Sequence, residues 1–171
     1  MAHFDAEDER FGHQLPEPFR NVVHHNDSWR ESLFFIMHKR NEPGDVLILT
    51  LAHFPAHNEM DSLQLGRVGN SPVMARHART TAADPNNWNV GPVSIDIVEP
   101  KKKIHLLARK SDATPVELDI TFTARTSPYQ LRRGTMKAGN EVVWDQTHMF
   151  QSGTYNGTYV HNGKTYEVDN W

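Results

Sequence analysis

Apolar residues recur along this chain with a period of two. Val116, Leu118, Ile120, Phe122 and Ala124 alternate with Glu117, Asp119, Thr121 and Thr123, the pattern of a strand with one face toward a core. Val93, Ile95 and Ile97 against Ser94 and Asp96 repeat it, as do Ile104, Leu106 and Ala108 against Lys103, His105 and Arg109. Pro100 and Lys101–Lys103 separate these two runs, so together they predict a hairpin. Val46 to Phe54 is apolar on both faces apart from Thr50 and His53, which predicts the most buried strand. A Pro43-Gly44-Asp45 turn joins it to a strand over Ser32 to Lys39, and Gln64–Val68 and Val73–Thr80 add two more. Ala82 to Pro92 and Arg125 to Asn140, punctuated by proline and glycine, predict loops. The first twenty-odd residues, with Pro16 and Pro18, predict an arm or a single short helix, and residues 1–28 are assigned to that arm.

The strongest local signal lies at the end of the chain. In His161-Asn162-Gly163-Lys164 the Asn-Gly pair occupies the two central positions at which a type I′ turn needs positive φ. A two-residue loop fixes the register: Tyr159 faces Tyr166, Gly157 faces Val168 and Thr158 faces Glu167. One face of this hairpin carries the aromatics and the other carries Thr158, Thr165, Glu167 and Asp169, with Trp171 expected on the polar face and in need of cover. These strands, without a long helical window, predict an all-β fold: an antiparallel barrel or strongly curved sandwich of about 8–10 strands over residues 29–171.

Four stretches, in order, resemble a known family. They are Trp29-Arg30-Glu31-Ser32, Ile97-Val98-Glu99-Pro100 followed by basic residues, Val116 to Phe122, and Phe150 to Thr158 followed by Gly163 to Val168. In that order they are similar to the first domain of the tandem lipocalin-like proteins of the calycin superfamily: the AttH-like, carotenoid 1,2-hydratase-like and tocopherol cyclase-like proteins. The resemblance implies a lipocalin-like β-barrel that binds a lipophilic small molecule of isoprenoid, steroid or polyketide type. It also implies a second lipocalin-like domain, or a homodimer partner, packed against this one.

Composition narrows the chemistry. The chain has 171 residues and no cysteine, so it has no disulfide framework, thiolate nucleophile or zinc–thiolate site. Its formal charge of −3 does not indicate a general nucleic-acid or anionic-membrane surface. Met1-Ala2-His3-Phe4-Asp5 is acidic where a signal peptide is basic and apolar, and no apolar run reaches the length of a membrane span, so a cytoplasmic location is expected. The acidic stretch Asp5 to Glu9 is expected to be a solvated arm, and Lys101–Lys103 a solvated hairpin loop.

Among eleven histidines, His24-His25 with Asp27, and His53 with His57, are the local metal candidates. Neither has the spacing of a recognised site, and Pro55 makes His53 and His57 diverge, so no metal or other cofactor is expected. Arg76, Arg79, Arg132 and Arg133 are free by spacing to meet an acidic ligand. A hydratase or cyclase pocket protonates an alkene with an acid held among aromatic faces that stabilise the cation. Glu31 and His148 are the proton-transfer candidates, and Trp29, Phe35, Trp144, Tyr159 and Tyr166 the pocket lining. The same aromatics also fit a plain core, and the polar pair a plain surface. Two functions stay open: a cofactor-independent hydratase, cyclase or isomerase, and a non-catalytic binding or carrier domain.

Overall fold

A computed structural model describes residues 5–11, 27–40, 44–81 and 87–171. The expected Pro43 turn residue and His24-His25 lie outside these, as does most of the arm. In chain order the strands are β1 (Glu31–His38), β2 (Val46–Phe54), β3 (Glu59–Val68), β4 (Ser71–Thr80), β5 (Asn89–Val90), β6 (Val93–Glu99) and β7 (Lys103–Ala108). After them come β8 (Glu117–Ala124), β9 (Tyr129–Gln130), β10 (Gly134–Ala138), β11 (Glu141–Gln146), β12 (Met149–Phe150), β13 (Gly153–His161) and β14 (Lys164–Val168). Among the described residues the only helical turns are two 3₁₀ turns, Glu7–Glu9 and Pro55–His57.

Ten of these strands form two antiparallel sheets, ordered β1-β2-β3-β4 and β14-β13-β8-β7-β6-β5. Neither sheet closes on itself, so the architecture is sandwich-like rather than a barrel. The period-two pattern explains why the sheets meet. Phe35, Met37, Leu47, Leu49, Leu51, Met60 and Val73 on one inner face join Ile95, Ile104, Leu106, Leu118, Ile120 and Phe122 on the other in a single core. Phe35 meets Phe122 edge-on at 6.3 Å, and Phe122 meets Tyr155 at 5.2 Å. Polar side chains pin the sheets together as well: Gln64 Nε2 donates to the Val116 carbonyl at 2.7 Å, and Ser62 Oγ to the Val90 carbonyl at 3.1 Å.

The terminal hairpin has the register the Asn-Gly turn dictates, with Tyr159 opposite Tyr166 and Gly157 opposite Val168. Asn162 and Gly163 both take positive φ, 51° and 74°. Trp171 departs from its expected place on the polar face. Asn170 adopts φ 50°, and Trp171 pairs with Tyr155 through backbone bonds of 3.1 and 3.2 Å. Three steps from Val168 to Trp171 thus match two from Gly157 to Tyr155, and this one-residue bulge turns the indole onto the aromatic face. There it meets Tyr159 edge-on at 5.8 Å and is 7% exposed, covered by its own sheet.

Two further expectations are corrected. Arg125 to Asn140 is not all loop: it holds β9 and β10, and β10 pairs with β11 across a Gly139-Asn140 turn. Gly134 is no breaker but leaves room for the Trp144 ring, which a Cβ there would meet at 2.6 Å. Nor is Asp5 to Glu9 wholly solvated. Glu9 is 4% exposed, and its Oε2 accepts the Lys101 backbone N–H at 2.6 Å, so the arm docks on the β6–β7 turn. Burial is the main cause that raises the Glu9 carboxyl above the usual glutamate value.

Candidate functional site

Strand alternation decides what meets at each end of the sandwich. Glu31 pairs with His53, His53 with Met60, and Met60 with Arg79, so these four side chains form one row across β1 to β4 on the inner face. His53 is the penultimate residue of the most apolar strand and is 2% exposed. The Phe11 ring stacks on it at 6.2 Å and touches Trp88 at 5.2 Å, so the docked arm closes this end with aromatic rings. Arg79 donates to the carbonyls of Asn87 at 2.5 Å, Asn89 at 2.6 Å and Thr80 at 2.8 Å, which fixes the segment that carries Trp88.

Electrostatics follow from that burial. Desolvation, the largest cause, pulls the His53 imidazole below its ordinary value; Glu31 works against the shift and Arg79 with it. The fold thus favours the neutral ring, which sits in a row with a carboxylate and a guanidinium and under the face of Phe11. In the unfolded chain His53 takes up a proton that the fold refuses, so its stabilisation is present above 6.5 and is lost as pH falls below it. Urea midpoints should accordingly fall between about pH 7.5 and about pH 5.5, and His53→Leu should flatten that slope. An unchanged slope in the variant would place the titration elsewhere.

The residues singled out from sequence do not share one pocket. Glu31, half-buried, belongs to the His53 row, and Trp29 leads into the same strand. His148 is exposed between β11 and β12, beside Gln146 and 5.8 Å from Phe150. Trp144 is exposed on β11. Phe35 and Tyr159 are core, and Tyr166 stacks on Tyr159 at 4.8 Å. The Tyr159 hydroxyl donates to Asp45, whose other carboxylate oxygen accepts the Gly69 N–H at 2.7 Å, so Tyr159 ties β13 to the start of β2. Burial is the main reason its phenol is pushed up.

The arginines separate in the same way. Arg76 faces outward from β4 and pairs with Glu59 at 2.5 Å and Asp61 at 2.9 Å, whereas Arg79 faces inward. Arg133 pairs with Asp145 on the β10–β11 hairpin. His57 is exposed and donates to the Asp27 carbonyl at 2.7 Å, apart from buried His53 as Pro55 required. Among the described residues no cluster of three or more metal-ligating side chains occurs. At the other end of the sandwich an open cleft of about 440 Å³ is lined by Lys39, Arg40, Glu167, Asp169, Asn170 and Trp171. Its walls are largely charged, unlike the aromatic end.

Sequence reading names His53 only as a metal candidate beside His57, not as a pocket group. The one available signal was its place as a polar break in the run Val46 to Phe54. No helix among the described residues is long and apolar enough to cross a membrane. No curated protein and no solved structure matches the chain. A family match covers nearly its whole length: over residues 6–171 the chain belongs to the Family of unknown function (DUF8625).

Proposed function

We propose that this chain is a lipocalin-like binding domain that takes a lipophilic small molecule at the end of the sandwich closed by Phe11, with Glu31, His53 and Arg79 as its polar contacts. One observation carries the reading: a buried histidine in a row with a carboxylate and a guanidinium, under the ring of Phe11, which itself packs on Trp88. Packing alone does not call for three ionisable groups in an aromatic setting, whereas recognition of an apolar molecule with one polar function does. The likeness of the four sequence stretches to tandem lipocalin-like proteins supports the same class of ligand. In a catalytic version of this reading, a cofactor-independent hydratase, cyclase or isomerase, Glu31 is the acid and His53 its neighbour in proton transfer. In the carrier version the same groups only orient the ligand.

Phe11 offers the test, because its ring occupies the space between His53 and Trp88. Phe11→Ala should raise affinity for an uncharged lipophilic dye such as N-phenylnaphthylamine by about tenfold, the equivalent of about 1.4 kcal/mol. Adding Met60→Trp, to refill that space beside His53, should reverse the gain. A folded Phe11→Ala protein that takes up no more dye than the wild type would remove the ligand from this end.

A further inference from the structure

Antiparallel sandwiches turn polar side chains outward, and the six-stranded sheet obeys: Asp96, His105, Thr121 and Asn156 form one outward row across β6, β7, β8 and β13. The four-stranded sheet does the reverse. Ile36 pairs with Ile48, Ile48 with Leu65, and Leu65 with Met74, so an unbroken apolar row crosses all four strands on the outer face. Phe34 and Leu63 lie in the next row. Met74 is 76% exposed, Phe34 61% and Ile36 48%. A contiguous exposed apolar patch of this kind often marks an interaction face.

We propose that this face is the homodimer interface, with a second copy of the chain stacked on it about a two-fold axis. The inference is independent of the ligand site, which lies on the inner face. Area and charge both favour a second copy. Four strands about 4.8 Å apart and about 30 Å long give a face of roughly 550 Å² in projection. Side-chain relief brings that towards the about 800 Å² per partner that a stable dimer buries. The face has the anatomy of an interface, an apolar centre between charged ends. His38, Lys39, Arg40 and Arg67 stand exposed at one end; at the other, half-buried Glu59 and buried Asp61 pair with exposed Arg76. A two-fold axis across the strands lays the basic end of each copy over the Glu59–Asp61 end of its partner. An axis along the strands would set the two basic ends together, so the crosswise arrangement is the one assigned.

Sedimentation equilibrium of the full chain tests it. The wild type should weigh twice the 19.6 kDa of one chain. Met74→Glu and Ile36→Glu, at exposed positions that a single chain does not need, should each weigh one chain mass with an unchanged far-ultraviolet spectrum. Val98→Glu, exposed on the other sheet, should stay dimeric. A monomeric wild type, or a dimer that survives Met74→Glu, would overturn the proposal.

Discussion

Gly157→Ala is expected to remove most of the stability of this protein, more than about 4 kcal/mol of the about 5–15 kcal/mol typical of a domain. Gly157 lies in β13 between β8 and β14 and has φ +142°, a conformation that L side chains rarely adopt. A Cβ there would stand 2.1 Å from the Asp119 carbonyl oxygen and 2.9 Å from the Ile120 Cα, both backbone atoms of the neighbouring strand. Neither can move without breaking the ladder, so strain and collision add. Gly139→Ala is the control: φ is +63° but the space is open, and the cost should stay near about 1 kcal/mol. Urea unfolding followed by circular dichroism separates the two. A Gly157→Ala midpoint close to that of the wild type would mean that β13 does not approach β8 as described. Gly66 repeats the geometry in the four-stranded sheet, 2.0 Å from the Val46 carbonyl oxygen, so the same result is expected there.

Trp171→Ala should cost about 3–5 kcal/mol, the range for deleting a buried large aromatic. The indole is buried against Tyr159, whose own ring stacks on Tyr166 with 5° between planes. Removing it leaves a void beside the Tyr159 ring. Ending the chain at Asn170 should cost more, because the two backbone bonds to Tyr155 go as well. Denaturant midpoints of the two variants check this, and a shift under about 0.5 kcal/mol for Trp171→Ala would place the indole in solvent.

Both results turn on features that the sequence shows unevenly. The Tyr159–Tyr166 register was legible because Asn162-Gly163 admits one turn type, and turn type fixes register. Glu117–Ala124 was legible because one-sided burial imposes alternation, and Val46–Phe54 because a short run apolar on both faces marks a buried strand. Trp171 was misplaced because a single αL residue, Asn170, shifts the ladder by one, and no periodic pattern records one residue. The β10–β11 hairpin was missed for a related reason. Its strands are exposed on both faces, so burial imposes no alternation there, and Gly134 read as punctuation when it seats a ring.

The candidate site was half legible. Glu31 was identified from its place before an aromatic strand, but its neighbour is His53 rather than His148. Those two meet because β1 and β2 are antiparallel with Glu31 opposite His53, a register that rests on the intervening turn rather than on any motif. Arg79 and Phe11 arrive from a third strand and from the arm, so only the folded sheet brings the set together. The outward apolar row escaped notice likewise, since Ile36, Ile48, Leu65 and Met74 each look like ordinary strand residues until the register aligns them.

Whether the aromatic end holds a lipophilic molecule is decided by native mass spectrometry of the gently purified chain, with organic extraction of whatever travels with it. The expected result is a compact chain carrying one lipophilic small molecule per copy. A compact wild-type chain that carries no such molecule and takes up no lipophilic dye would contradict it.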